Sequence, residues 1–276
     1  FTMPLFFLVS GVVTRDAKDS DFSLRGWLNF LIKNLWALVL PFIIWGVFFS
    51  DFDLKNIYHL LYGSYQEIKL FTAVGALWFL PCFFLARVMS YGLLNIAKKI
   101  PISDRIISLI FGVISLVIGL LIPQVEIGYF FGFNISFIVL GFILLGYAAK
   151  DIIFWISNQK WFVALILFVI CGVGFYFGTG FRANELELVS IFKGSYGNPF
   201  WFFLNAFTGS LTILSFSILL SKFGDRFPNF VHKYILWVGK NSIGFYLVHV
   251  PIMRQLSMPL LESVGFVEPE ALSSFT

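Results

Sequence analysis

Long apolar runs dominate the chain, and short polar segments separate them. A helix needs roughly 20 consecutive apolar residues to span a bilayer, and eight runs reach or approach that length. They lie at about residues 1–13, 35–49, 70–94, 106–122, 128–149, 161–177, 200–220 and 234–250. None alternates apolar with polar positions as a half-buried strand does. The pattern predicts an all-α fold, a polytopic membrane helix bundle of about eight transmembrane segments.

Prolines and short connections refine this outline. The second run extends back through Trp27 to reach spanning length, and Pro41 and Pro81 are expected to kink the second and third helices. A short apolar stretch at residues 252–264 contains Pro259, which is typical of a half-helix or an interfacial segment. No low-complexity linker or separate soluble segment divides the chain. We therefore expect residues 1–276 to form a single membrane domain.

The composition agrees with a membrane protein. Hydrophobic residues make up 59% of the chain and charged residues 12%, and the mean hydropathy is +0.88. A soluble domain is typically about 25% charged. The net charge of +4 comes from scattered Lys and Arg residues, so we expect no nucleic-acid partner. Cys82 and Cys171 both lie in apolar runs, which argues against a disulfide framework.

The basic residues of the connecting segments predict the orientation, because Lys and Arg concentrate in cytoplasmic loops. Twelve lie in the first, third, fifth and seventh loops: Arg15, Lys18, Arg25, Lys33, Lys98, Lys99, Arg105, Lys150, Lys160, Lys222, Arg226 and Lys233. Five lie in the even loops and the tail: Lys55, Lys69, Arg182, Lys193 and Arg254. The odd loops are therefore expected in the cytoplasm. Phe1 then lies outside, and the sequence predicts one earlier helix before it.

A polar face near the C-terminus is the first candidate site. In the stretch "GKNSIGFYLVHVP", Ser242, Tyr246 and His249 fall on one face of a helix. Such a face can bind a polar ligand or relay protons. It can equally be a capped helix start with Tyr and His at the membrane interface. The spacing alone leaves both interpretations open.

Two other polar groups could likewise belong to a binding site or have only a structural role. Arg87 lies within the third apolar run, where snorkelling or a structural ion pair is the favoured interpretation. The longest polar outer loop contains acids, amides and an aromatic suited to a sugar, although an ordinary solvated loop is favoured. Its candidate residues are Asn184, Glu185, Tyr196 and Asn198. His59, His232 and His249 lie on different segments without nearby carboxylates, so no metal site is predicted.

Six stretches, taken in order, resemble elements of the integral-membrane acyltransferase-3 family. They are "FTMPLFFLVSG", "FLIKNLWALVLPFIIWG", "GALWFLPCFFLARV", "FIVLGFILLGYAAKD", "NELELVSIFKGSYGNPFWFFLNAFTGS" and "NSIGFYLVHVPI". Together they cover nearly all of the chain. The family pattern has His where this chain has Thr2, and it has paired Arg residues near the position of Lys33. Lys lacks the bidentate fork of Arg.

The resemblance implies an O-acyltransferase of the bacterial plasma membrane. Members O-acylate cell-surface carbohydrates, so it implies acetyl-CoA or another acyl-CoA as donor, a carbohydrate acceptor and contact with membrane lipid. The family's catalytic His lies on a first helix, which the resemblance places before Phe1, and one further helix is expected after the tail. Within this chain, Tyr246 and His249 are the catalytic candidates and Lys33 is the donor-binding candidate. Trp78, Asn184, Glu185, Tyr196, Asn198 and Ser242 are the substrate-binding candidates.

Two other functional classes remain open at this stage. Transporters and flippases of glycans or lipid-linked sugars are also polytopic and also place polar groups near the bilayer midplane. A catalytically inactive relative would share the motifs without the chemistry. Residues 1–276 alone are also expected to be an inactive fragment, because the family's catalytic His lies on the earlier helix. Acetyl transfer to a glycan by the full-length protein separates an enzyme from both.

Overall fold

The computed structural model describes residues 2–16, 23–48, 54–68, 75–183, 191, 194–223, 228–242 and 244–245. These ranges contain helices and no β-strand, which confirms the predicted all-α fold. The helices are α1 (Thr2–Val12), α2 (Leu24–Asn34), α3 (Leu40–Phe48), α4 (Leu54–Tyr62), α5 (Tyr65–Ile68), α6 (Phe79–Lys99), α7 (Asp104–Leu121), α8 (Phe133–Asn158), α9 (Trp161–Ala183), α10 (Pro199–Lys222) and α11 (Asn229–Lys240).

Six helical segments in the described part of the chain are long and apolar enough to cross a membrane. They are Leu24–Phe48, Phe79–Lys99, Asp104–Leu121, Phe130–Asn158, Trp161–Thr179 and Pro199–Lys222. Met3–Val12 is apolar but shorter. The predicted bundle is confirmed, and the predicted number of about eight is approximate. The last predicted run continues past α11 into residues 246–250, which lie outside the described ranges.

Helix α8 forms the centre of the bundle, with α1, α6 and α7 packed against it. Glycines allow α1 and α8 to approach closely. A Cβ added at Gly11 would overlap the carbonyl oxygen of Ile143, and one at Gly146 would overlap that of Leu8. Small residues at such a contact are the usual basis of helix association in lipid, where no hydrophobic effect drives helices together. The contact fixes where α1 lies.

The outward face of α7 is apolar along its whole length. Exposed large side chains recur every three or four residues: Ile106, Leu109, Ile110, Val113, Ile114, Val117, Ile118 and Leu121. In water such an apolar stripe would favour aggregation or binding to another protein. On a helix that can span a bilayer, it is the surface expected to contact lipid.

Charged residues from three predicted cytoplasmic loops meet at one end of the bundle, which we call the basic end. Asp16 accepts hydrogen bonds from Arg105 Nη2 and Lys150 Nζ, each at 2.8 Å. Arg105 also forms a two-bond pair with Asp151, at 2.9 and 3.1 Å, and Lys150 reaches the carbonyl of Thr14 at 2.9 Å. The network joins the end of α1 to α7 and α8.

The opposite end contains structure that the hydrophobic pattern did not reveal. The connection between α3 and α6 includes α4 and α5, which the sequence analysis treated as a loop. Tyr62 donates to the carbonyl of Gly128 at 3.1 Å, and Ser64 donates to that of Ile127 at 2.7 Å. These bonds attach α4 and α5 to the segment before α8.

The two prolines do not act alike. Pro41 follows a π-helical turn at Leu35–Val39, so α2, this turn and α3 form one long helix with a local irregularity. Pro81 lies in the first turn of α6, after a 3₁₀ segment at Gly75–Trp78. A proline in a first turn removes no helical hydrogen bond. Pro81 therefore lies at the start of α6, and the predicted kink within that helix is wrong.

Candidate functional site

A cavity of about 820 Å³ opens between α1, the long helix Leu24–Phe48 and α6. Its apolar wall includes Phe6, Phe83 and Leu94. Polar side chains line the rest, from four separate segments of the chain: Ser10, Thr14, Asn29, Asn34, Ser90, Tyr91 and Ser242. A roomy concave site with a few converging polar groups is the usual form of a small-molecule site.

The charge in this cavity is one-sided. Arg15, Lys33 and Arg87 line it, and no acidic side chain among the described residues does. The nearest acid in sequence, Asp16, is bound by Arg105 and Lys150 at the basic end. The described lining of the cavity is therefore positively charged, which suits an anionic ligand.

Arg87 is the most deeply placed of these cations along its helix, twelve positions before the end of α6 at Lys99. Its Nη1 group donates to Ser10 Oγ at 3.2 Å and to Thr14 Oγ1 at 3.4 Å. Its guanidinium lies over the ring of Phe30, 5.7 Å from the centroid. Two helices thus hold the guanidinium in one place against the cavity wall.

The aromatic wall beside Arg87 is itself ordered by stacking. The rings of Phe30 and Tyr91 are 4.3 Å apart and within 18° of parallel. Both side chains line the cavity, from α2 and α6 respectively. A cation and two aromatic rings therefore lie side by side on one wall of the cavity, where an aromatic ligand can contact them.

The Ser-Gly pair in "FTMPLFFLVSG" has a structural explanation. Ser10 lines the cavity and accepts the hydrogen bond from Arg87. Gly11, the next residue, lies about 100° around the helix and touches the backbone of α8. One residue therefore contributes to the site while its neighbour fixes the helix that carries it.

Lys33 lines the cavity from the last turn of α2. Asn34, which follows it, donates to the carbonyl of Phe30 at 2.8 Å and is buried. Helix α2 begins at a Ser23 cap whose side chain accepts from the Gly26 backbone N–H at 3.1 Å. The predicted donor-binding residue and Ser242, from the far end of the chain, thus meet in one cavity.

The other predicted site residues lie elsewhere. Trp78 is buried in the hydrophobic core and does not line the cavity. Asn198 caps α10, with Oδ1 accepting from the Phe200 backbone N–H at 3.0 Å. Asn184, Glu185, Tyr246 and His249 lie outside the described residues. Their roles stay predictions.

Tyr196 enters the bundle from the outer loop and contacts Phe202, with ring centroids 5.2 Å apart. Its hydroxyl is buried and has no hydrogen-bond partner among the described residues. Burial raises the pKa of this phenol above its usual range. Asn205, one turn beyond Phe202 on α10, is 5% exposed, and its amide atoms also lack partners there. These groups mark a second polar region, separate from the cavity.

Sequence reasoning missed part of the cavity. It assigned Arg87 to snorkelling or a structural ion pair, whereas the partners found are two hydroxyls and a ring. Ser10 and Thr14 were not singled out, although their spacing of four residues places them on one face of a helix. No cluster of His, Cys, Asp and Glu that could hold a metal ion occurs in the described ranges.

A protein-family model described as an acyltransferase domain matches residues 1–267 of the chain. The match includes every described residue that lines the cavity. Neither curated proteins nor solved structures gave a match to the chain.

Proposed function

Since the chain belongs to the integral-membrane acyltransferase-3 family, we propose that it transfers an acetyl group from acetyl-CoA to a hydroxyl group of a cell-surface or exported carbohydrate. The observation that carries the proposal is the cationic cavity within an apolar bundle. A thioester donor with phosphate groups needs such a site, whereas a neutral sugar does not. The family supports the acyl transfer, and the cavity supports an anionic donor.

The proposal assigns the donor to the basic end and the acceptor to the opposite end. In a bacterial plasma membrane the positive-inside rule places the basic end in the cytoplasm, where acyl-CoA is made. Tyr196 and Asn198 lie on the loop before α10, at the proposed acceptor side. Trp78, Asn184 and Glu185 are proposed to complete that side.

Transfer to a hydroxyl needs a general base and a donor to the developing oxyanion. Within this chain we propose His249 and Tyr246 as the groups nearest to the reaction, with Ser242 on the same predicted helical face. Ser242 lines the cavity, which supports placing that face beside the donor. A proton taken from the acceptor hydroxyl would pass to the base as the thiolate of CoA leaves.

The test uses the full-length protein in proteoliposomes, with radiolabelled acetyl-CoA and a panel of bacterial surface glycans as acceptors. Label in a glycan supports the proposal, and the His249→Ala variant should lose most of that transfer. Movement of unmodified glycan across the membrane without acetylation would indicate a transporter instead of an acyltransferase. Neither transfer nor transport, from a protein that binds acetyl-CoA, would indicate an inactive relative.

A further inference from the structure

Arg87 carries hydrogen-bond donors that the described protein does not use. A guanidinium has five N–H donors in a fixed planar arrangement. Within the described ranges, the guanidinium of Arg87 donates through Nη1 alone, to Ser10 and Thr14. The Nε and Nη2 donors have no partner among the described residues. These two groups form the edge that binds carboxylate and phosphate through two parallel bonds.

Arg87 also forms no ion pair with an acid among the described residues. An arginine within a membrane span normally pairs with an acid, because a charge without a partner in hydrocarbon is costly. Here Asp16 and Asp151 at the basic end pair with Arg105 and Lys150, and Asp104 accepts a hydrogen bond from the Tyr147 hydroxyl. In the described part of the chain, the polar and cation–π partners of the Arg87 guanidinium are the hydroxyls of Ser10 and Thr14 and the ring of Phe30. The arrangement is explained if an anion enters the cavity.

We propose that Arg87 binds a phosphate group of the thioester donor and supplies from α6 the bidentate contact that Lys33 cannot supply from α2. The inference rests on the proposed function. Both side chains line one cavity, and a lysine there contributes charge without the planar fork of arginine. Ser10 and Thr14 hold the guanidinium by its Nη1 group, which leaves the Nε–Nη2 edge for the ligand.

The stacked rings support a nucleotide as the carrier of that phosphate. Phe30 and Tyr91 lie beside Arg87 on the cavity wall, and a purine ring stacks on such a surface. A phospholipid headgroup or free inorganic phosphate shares the phosphate but not the ring. The experiment therefore compares these three sources directly.

The central measurement is the KM of full-length protein for two donors, acetyl-CoA and acetyl-pantetheine, which lacks phosphate. We expect Arg87→Gln to raise the KM for acetyl-CoA by about 10- to 100-fold, as expected when a charged hydrogen-bonded contact is removed. The KM for acetyl-pantetheine should stay within about twofold of wild type. The KM of Arg87→Lys for acetyl-CoA should lie between those of wild type and Arg87→Gln, because lysine keeps the charge but lacks the planar fork of donors. Lys99→Gln is the matched control, an exposed cation on the same helix outside the cavity.

Four outcomes would overturn the inference. An unchanged KM for acetyl-CoA in Arg87→Gln removes the phosphate contact, and an equal loss with both donors assigns Arg87 a structural role. If the KM defect of Arg87→Gln varies with the content of anionic phospholipid in the vesicles, Arg87 binds a lipid headgroup. If inorganic phosphate competes as well as CoA does, the site binds free phosphate. Direct binding of CoA to the purified variants is measured in parallel. If wild type binds CoA through Arg87 but transfers no acetyl group, the proposed function fails while the phosphate site stands.

Discussion

The contact between α1 and α8 gives the sharpest test of the fold. A methyl group added at Gly146 would meet the backbone carbonyl of Leu8, which cannot turn aside as a flexible side chain can. We therefore expect Gly146→Ala to push the two helices apart. Overpacking of this kind typically costs about 1–3 kcal/mol.

A matched control removes the effect of helix propensity. Gly92 lies in the interior of α6, and a Cβ added there meets nothing within 4 Å. Replacing a helical glycine with alanine should add up to about 1 kcal/mol of stability. Since this gain applies at both positions, the unfolding free energies of Gly146→Ala and Gly92→Ala should differ by the overpacking cost alone, about 1–3 kcal/mol.

Unfolding in mixed micelles with increasing dodecyl sulfate, followed by circular dichroism, measures that difference on full-length protein. A second readout is the KM for acetyl-CoA, because α1 carries Ser10 and Thr14 to Arg87. We expect Gly146→Ala to raise this KM and Gly92→Ala to leave it unchanged. Equal unfolding curves for the two variants would refute the close α1–α8 contact.

Three further predictions follow from the ends of the bundle. The hydrogen bond from Lys150, followed by that from Arg105, holds the pKa of Asp16 below its usual range. A lowered carboxyl pKa stabilises the fold above the usual carboxyl pKa of about 4, so wild type should be more stable than Asp16→Asn at pH 7, and chemical unfolding should show this difference shrinking as the pH falls below about 4 and through the lowered pKa. Tyr196→Phe removes a buried hydroxyl without a partner in the described residues and should raise the unfolding free energy by about 1 kcal/mol. A lower unfolding free energy in this variant would mean that the hydroxyl has a partner. A membrane-impermeant thiol reagent applied outside intact cells should label Val125→Cys and spare Lys98→Cys, and the reverse pattern would invert the topology.

The helices could be predicted from the sequence because each spanning segment is a nearly unbroken apolar run. Residues 106–122 were expected and Asp104–Leu121 was found, since the run begins and ends beside polar residues. Helices α4 and α5 could not be found this way. They are short and of mixed polarity, and contacts such as Ser64 to Ile127 hold them in place. Such contacts depend on residues more than 60 positions apart and leave no local pattern.

The site was only partly predictable for a similar reason. Lys33 and Ser242 were chosen from motifs, and both line the cavity. The environment of Arg87 depends on α1, which lies more than 70 residues earlier in the chain. A sequence shows that an arginine lies within an apolar run, but the presence or absence of an acid beside it is decided by how the helices pack.

The π-helical turn at Leu35–Val39 sets the rotational phase between the two halves of the long helix. Such a turn holds one residue more than an α-helical turn, and one residue corresponds to about 100° of rotation. A single-residue deletion that left this turn π-helical would rotate Asn29 and Lys33 about 100° away from the cavity, whereas one that let it close as an α-helical turn would keep their direction. The direction of the positive charge on α2 is therefore set by the type of this turn together with how many residues separate α2 from α3.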